Sequence, residues 1–506
     1  MNSKILEAVD VLKKHGNRRM AADLLSQELH EGSEHGERWR SFGLLASRIG
    51  ETEMALEGAR RFMTTPPVTV GKIVAYCDDL VGAGRKAQAI EFLNKLPKDA
   101  LQHAHVLHFM GNVAAQEGEF AKSRELLRKS LSLNPNAPLV WHAYGMSDDS
   151  PLADDDFRIL LSLKKTADRL DLRNRAAYYY ALGDAYAKLG DAERAFENYT
   201  AGAEFRKKES AYDSHRQEQL TKEIIQNFTP GHLHKLRKSR FDLDQRALFV
   251  LGLPRSGTTL VESILTSHSR VVDGGEVGLA GAALLPVKGY SISKALEYQY
   301  TMKSDDPWGD IAHDYHHLLH QRFPQEGLVV DKTLGQTLQL GLLLHAMPAA
   351  KVVWMRRDPE DVALSSFRTF FVSHLNWSWS LEDIAHYMRL EDELHQHWVS
   401  LFPDQILTVP YEELVKNDHV WIARILDHVG FDMENAVANF HEVKRDVRTA
   451  SVRQVRQPIT TGAIGKSRGF LDQMSAFRKA YYSATRAQVY PIKKAGRSPP
   501  FRFRLS

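Results

Sequence analysis

Two regimes of apolar patterning divide the chain. Up to about residue 205, apolar and small residues recur at helical spacing, in blocks punctuated by glycine. Gly16, Gly50, Gly84 and Gly118 stand 34 residues apart. Five after each comes a small residue (Ala21, Ala55, Ala89, Ser123), and nine after each comes Leu25, Ala59, Leu93 or Leu127. This predicts helix-turn-helix units in which the glycine ends the first helix and the small residue lets the second pack close. The clearest unit is 177–205, with Gly183, Tyr186, Gly190, Ala195 and Tyr199. Residues 141–176 read as a degenerate, shifted pair of helices, because the acidic stretch 148–156 interrupts a unit begun at Trp141. Residues 206–245 are polar and charged and read as a helical connector, with a break at Pro230.

Beyond residue 246 the pattern changes to short apolar runs at 247–251, 271–272, 327–330 and 351–355, with amphipathic stretches such as 336–347 between them. Such runs are expected of buried parallel strands wound through helices. The first leads into Gly252-Leu-Pro-Arg-Ser-Gly-Thr-Thr259. Glycines five apart between strand and helix form a phosphate-binding loop, whose amides converge with the helix N-terminus on an anion. A nucleoside-triphosphate loop has Lys after the second glycine. Here Thr258 stands there and the cation is Arg255, inside the loop. The strand ends deliver Arg255, Glu276, Lys332 and Arg357 to the carboxyl edge of the sheet, where open parallel sheets bind ligands. Taken alone, Glu276 reads as a solvated loop carboxylate. No chemistry is placed in 286–325.

The 34-residue units resemble tetratricopeptide repeats. The loop 252–259 resembles the 5′-phosphosulfate loop of sulfotransferases that use 3′-phosphoadenosine 5′-phosphosulfate (PAPS), and Arg357 followed by Ser365 resembles their 3′-phosphate motif. The spacing of Arg255, Glu276, Lys332, Arg357 and Ser365, and the block from Ser451 to Pro458 followed by Lys466, are most similar to protein-tyrosine sulfotransferases. As a whole the chain resembles bacterial tetratricopeptide-repeat sulfotransferases.

The resemblance implies an all-α repeat superhelix over 1–205, the connector over 206–245, an α/β P-loop sulfotransferase domain with a central parallel sheet over 246–480, and a basic tail over 481–506. It implies that Arg255, Ser256, Gly257, Thr258 and Thr259 hold the 5′-phosphosulfate and that Arg357 and Ser365 hold the 3′-phosphate. Tyr411 and Lys466 are further donor contacts. Glu276 is the implied base, with Lys332 and Ser451 stabilising the transition state beside Arg255. The donor is PAPS, the product adenosine 3′,5′-bisphosphate, and no metal is called for. The protein-tyrosine enzymes carry Pro two residues after the lysine, where Leu334 stands here, and they are membrane-anchored and use disulfides.

Composition narrows the setting. A net charge of +3 is too small to argue for nucleic acid, and the single cysteine, Cys77, fits a reducing compartment. Residues 1–20 are charged throughout, without the apolar core of a secretory leader, and no run suggests a membrane span. A cytoplasmic enzyme is expected. The 23 histidines are scattered, and His316-His317 is expected to face solvent. The tail 486–506 holds six Lys or Arg and no acid, as a basic tail does.

The acceptor is a hydroxyl, with a protein tyrosine, a sugar and a small molecule all open. A repeat-based adaptor with a decayed enzyme domain is the rival from another class. Two readings of the repeats also stand: a platform for an extended peptide or protein, or a scaffold that holds a homodimer or supports the catalytic domain. Every expected donor residue follows position 250, so donor binding is expected to survive removal of 1–205.

Overall fold

The computed structural model describes residues 4–31, 35–241, 246–372, 375–443, 445, 447, 449 and 452–485. The repeat pattern becomes helix pairs: Lys4–His15 with Arg18–Glu31, Trp39–Arg48 with Thr52–Thr64, Val70–Gly82 with Lys86–Asn94, and Ala104–Glu117 with Phe120–Leu133. The glycines of the 34-residue period sit in the turns, at φ 63°, 84°, 82° and 83°, a region that disfavours any side chain. Ala21, Ala89 and Ser123 are fully buried where the helices meet. Ala55 is only half-buried; there the close approach falls on Gly58, where a Cβ would come within 2.9 Å of the Gly43 backbone.

The shifted pair is Pro138–Met146 with Asp154–Ser162. One of the acids that interrupt the pattern, Asp156, is buried and accepts from the Tyr144 hydroxyl at 2.7 Å. The last pair, Leu172–Lys188 with Ala192–Glu209, extends beyond the expected 177–205. The connector region holds the helix Ser214–Asn227, which packs on Leu381–Leu401.

The second half is built on five parallel strands: β1 (Ala247–Leu251), β2 (Val271–Asp273), β3 (Leu328–Asp331), β4 (Lys351–Arg356) and β5 (Ile406–Pro410), in the order β2-β3-β1-β4-β5. β1 is central and buried at every residue, with Ala247 opposite Val329 of β3 and Leu248 opposite Lys351 of β4. The first four strands fall where the apolar runs predict them. β5 carries no such signal, because it is an edge strand that is buried only at Ile406 and Val409 and ends on proline.

Two local expectations are corrected. The stretch 336–347 is a 3₁₀ turn, Gln336–Leu338, followed by a helix, Leu340–Ala346, that is buried nearly all round rather than amphipathic. His316 does not face solvent: it is buried on the helix Pro307–Arg322 against Phe241, ring centroids 4.5 Å apart, while its neighbour His317 is exposed.

The glycine turns of the repeats form the edge on which the second half docks. A Cβ on Gly16 would lie 2.5 Å from the Leu285 carbonyl oxygen, and one on Gly50 would lie 2.7 Å from Leu318. The Gly82 carbonyl accepts from Arg322. Arg18, 3% exposed, joins Glu51 of the next repeat (2.7 Å) to Asp314 of the helix Pro307–Arg322 (3.1 Å). A buried guanidinium between two carboxylates tolerates the loss of neither partner, so it fixes how the halves meet.

The helix Ser475–Thr485 packs on Leu381–Leu401 and crosses position 480. The tail 486–506 lies outside the described residues. Among the described residues no helix is long and apolar enough to cross a membrane.

Candidate active site

The loop 252–257 joins β1 to the helix Thr258–Thr266, and Arg255 (φ 71°) and Gly257 (φ 103°) both take left-handed backbone. For a residue with a side chain that conformation is strained, and it persists where surrounding structure holds it. Part of the hold is Ser256: its amide and its hydroxyl both donate to the Leu253 carbonyl, at 3.1 and 2.6 Å. Ser256 therefore turns into the loop, away from the cavity beside it.

That cavity, of about 270 Å³, is walled by Arg255, Gly257, Thr258, Thr259, Arg357, Tyr411 and Lys466, and on its outer side by Gln454, Val455, Gln457 and Pro458. Arg357 follows β4. It donates to the carbonyls of Arg255 (3.0 Å) and Ala463, and its guanidinium lies 4.5 Å from the centre of the Tyr411 ring. Ser365, in the helix Pro359–Phe367, accepts from Arg255 Nε at 2.9 Å. It orients Arg255 instead of walling the cavity. Burial, and then the nearby Arg357 and Arg368 guanidiniums, push the Arg255 pKa down to about 10. Three cations thus share a cavity whose described walls include no carboxylate.

A buried carboxylate backs one wall. Asp361 is buried and accepts from the amides of Gly465 (2.6 Å) and Ser467 (2.9 Å), bracketing Lys466. It also stands 3.8 Å from Arg357.

A second charged cluster lies at the ends of β2 and β3. Lys332, 2% exposed, places Nζ 3.3 Å from Glu276 Oε1 and 3.9 Å from Glu262 Oε2. The Glu276 side chain is 47% exposed, so it faces both the lysine and the open edge. The backbone around it is tied down: Lys332 N donates to Gly275 O (2.8 Å), Gly278 N to Thr333 Oγ1 (2.7 Å), and the buried Asp331 accepts from Tyr315 Oη (2.7 Å) and Thr333 N (3.0 Å). Burial tends to lower the Lys332 pKa, but Glu262 and Glu276 together hold it above the usual lysine value. Glu262, buried on the second turn of Thr258–Thr266, is pushed up to about 7 by burial, against the pull of Lys332. Arg445 closes this side, donating to Asp273 (3.0 Å), Thr266 (3.3 Å) and Ser263.

The structure thus brings Arg255, Gly257, Thr258, Thr259, Arg357, Tyr411 and Lys466 to one cavity and Glu276 with Lys332 to a second cluster, the helix Thr258–Thr266 serving both. Ser451 lies outside the described residues. Glu262 and Arg445 were missed. A lone glutamate among Val261, Ile264 and Leu265 carried one signal, a carboxylate on the apolar side of a helix start.

Residues 247–435 match the model of the sulfotransferase family. This region is a sulfotransferase-family domain. Residues 104–137 and 176–208 match the tetratricopeptide-repeat model, so the helical half contains such repeats. An uncharacterized protein of Aquifex aeolicus (strain VF5) is 27% identical over 493 residues, covering 92% of this chain and 63% of that protein. The chain thus spans less than two thirds of the length of that relative. Among solved structures, the sulfotransferase domain of the Synechococcus PCC 7002 olefin synthase is similar at 20% identity, over 50% of this chain and all of that one, with a TM-score of 0.32. Sulfotransferase STF1 of Mycobacterium tuberculosis H37Rv is similar at 15% identity, over 61% and 99% of the two chains, with a TM-score of 0.28. The sulfotransferase domain here holds all the expected donor and catalytic residues up to Tyr411, while Ser451 and Lys466 lie beyond the matched range.

Proposed function

We propose that the protein transfers the sulfuryl group of PAPS to an acceptor hydroxyl. The observation that carries this reading is the cavity in which Arg255, Arg357 and Lys466 meet beside a phosphate-binding loop, with no carboxylate among its described walls. Like charges this close, one of them buried enough to lower its pKa, are stabilised by an anion carrying several negative charges. A donor with a 3′-phosphate and a 5′-phosphosulfate meets that need. The Arg255 loop and the helix N-terminus at Thr258 hold the 5′ end, and Arg357, oriented over Tyr411, holds the 3′ end.

The transfer forms a bond from the acceptor oxygen to sulfur as the bond from sulfur to the phosphate oxygen breaks. The proton of the acceptor hydroxyl goes to Glu276, whose carboxylate the Lys332 ammonium holds in place at 3.3 Å. Lys332 and Arg255 take up the charge that develops on the departing phosphate oxygen. The acceptor we favour is a protein tyrosine on an extended segment lying along the repeats. The support for it is the resemblance to protein-tyrosine sulfotransferases and the half-exposed Glu276 at the open edge.

Turnover with radiolabelled PAPS, and binding of adenosine 3′,5′-bisphosphate in preference to ATP without Mg²⁺, test the donor. A preference for ATP would overturn it. Labelled donor offered with tyrosine peptides, oligosaccharides and small phenols separates the acceptors, and label that enters only sugars would refute the tyrosine.

A further inference from the structure

The outer wall of the donor cavity has little structure of its own. Gln454, Val455 and Gln457 belong to or follow a single 3₁₀ turn, Gln454–Arg456, that lacks a side-chain cap. Its support comes from the repeats. The Gln116 carbonyl, at the end of the helix Ala104–Glu117, accepts from the Val447 amide at 3.1 Å and from the Arg456 guanidinium at 2.7 Å. The same guanidinium donates to the Arg445 carbonyl at 2.6 Å. Arg453 donates to the Ser147 carbonyl (2.7 Å), at the end of the helix Pro138–Met146, pairs with Asp149 (3.1 Å) and lies 4.5 Å above the Phe120 ring. The last carbonyls of a helix have no partner within it and sit at the negative end of its dipole. Two consecutive repeat units thus present their helix ends to two arginines of the cavity wall. On its inner side the segment meets the phosphate loop, where Thr449 Oγ1 stands 3.2 Å from Thr259 Oγ1.

We propose that Arg453 and Arg456 are positioning residues through which the repeat domain holds the donor cavity closed, so that the repeats are a working part of the active site. This rests on reading the cavity as the donor site. It departs from the expectation that donor binding is indifferent to the repeats. A chain lacking 1–205 loses Gln116, Phe120, Ser147 and Asp149, and with them every repeat contact named above for the wall.

Two glycines make a controlled test in the full-length chain. Gly118 (φ 83°) and Gly190 (φ 80°) both end helices in left-handed backbone, so alanine strains each alike. A Cβ at Gly118 would lie 2.8 Å from the Arg456 guanidinium, whereas one at Gly190 would meet nothing within 4 Å. Gly118→Ala should weaken adenosine 3′,5′-bisphosphate binding about tenfold, the value of one lost charged hydrogen bond. It should also speed hydrogen exchange at the Val447 amide. Gly190→Ala should leave both within about twofold. Arg456→Ala should match or exceed Gly118→Ala, with Arg456→Lys regaining part of the loss, which keeps the test decisive if Gly118→Ala fails to fold. Equal behaviour of the Gly118 and Gly190 variants in both measurements would overturn the proposal. If the wild-type protein binds no bisphosphate, the donor reading fails, and the exchange measurement still decides whether the repeats hold the wall.

Discussion

The two charged clusters flanking the helix Thr258–Thr266 are built on opposite rules. Around Arg255, cations gather at a cavity with no carboxylate among its described walls, and burial, then the neighbouring guanidiniums, makes Arg255 less basic. Around Lys332, the cation lies between two carboxylates and is held charged. The first arrangement gathers positive charge at one cavity, with the buried Asp361 carboxylate behind it, 3.8 Å from Arg357. The second is balanced as it stands, and one of its carboxylates, Glu276, is half in solvent. The contrast separates binding from chemistry: residues of the first cluster should set affinity for the donor, and residues of the second should set the rate once it is bound.

The largest expected effect sits in the balanced cluster. Glu276→Gln keeps the shape but cannot accept a proton at neutral pH, so the chemical step should fall at least about 100-fold. Affinity for adenosine 3′,5′-bisphosphate should hold or improve slightly. Single-turnover kinetics with labelled donor and calorimetry on the same variant check both, and near-normal turnover would return Glu276 to the status of a solvated carboxylate.

Arg357→Ala should show the reverse pattern. Loss of a charge-assisted contact to phosphate costs roughly 1.5–3 kcal/mol, or about 10–150-fold in affinity, with less change in rate at saturating donor. An unchanged dissociation constant would remove Arg357 from the donor site and erase the distinction drawn here.

The smallest effect concerns Glu262 and is read in stability. Burial raises its pKa in the folded protein to about 7, above the ordinary carboxylate value of about 4.3, so its contribution is fully present below that ordinary value and is lost as pH rises toward 7. Denaturant titrations should show the wild type losing on the order of 1 kcal/mol across that window relative to Glu262→Gln. A constant difference between the two proteins from pH 4.5 to 7 would mean that the Lys332 pair keeps Glu262 ionised throughout.

The repeat half was legible because its physics is local. A period of 34 residues with glycine at a forced backbone conformation leaves a mark that needs no partner elsewhere in the chain. β1, β3 and β4 were legible as interior strands and β2, at the far edge, as a short apolar run, and the residues at their ends followed from that. β5 escaped because an edge strand that is half covered lacks a continuous apolar run. The resemblance implies donor contacts for Ser256 and Ser365; what position could not show is that their hydroxyls also bond the Leu253 carbonyl and Arg255. Glu262, Asp361 and Arg445 matter through partners far off in sequence. Lys332 lies 70 positions from Glu262, and no local spacing could pair them.

The central position of β1 has a consequence for how the chain assembles during synthesis. Both its neighbours come later, so the middle of the sheet waits until Lys351–Arg356 has left the ribosome. Pairing over such separations is slow, and an apolar strand left waiting invites the wrong partner. The repeats bury their surface against sequence neighbours and fold as they emerge. The helix Pro307–Arg322 is made before β3, and it can seat Asp314 and Leu318 on the turns at Arg18 and Gly50 while most of the sheet is still unmade. Order of manufacture thus makes the older half of the molecule the jig on which the younger half is put together.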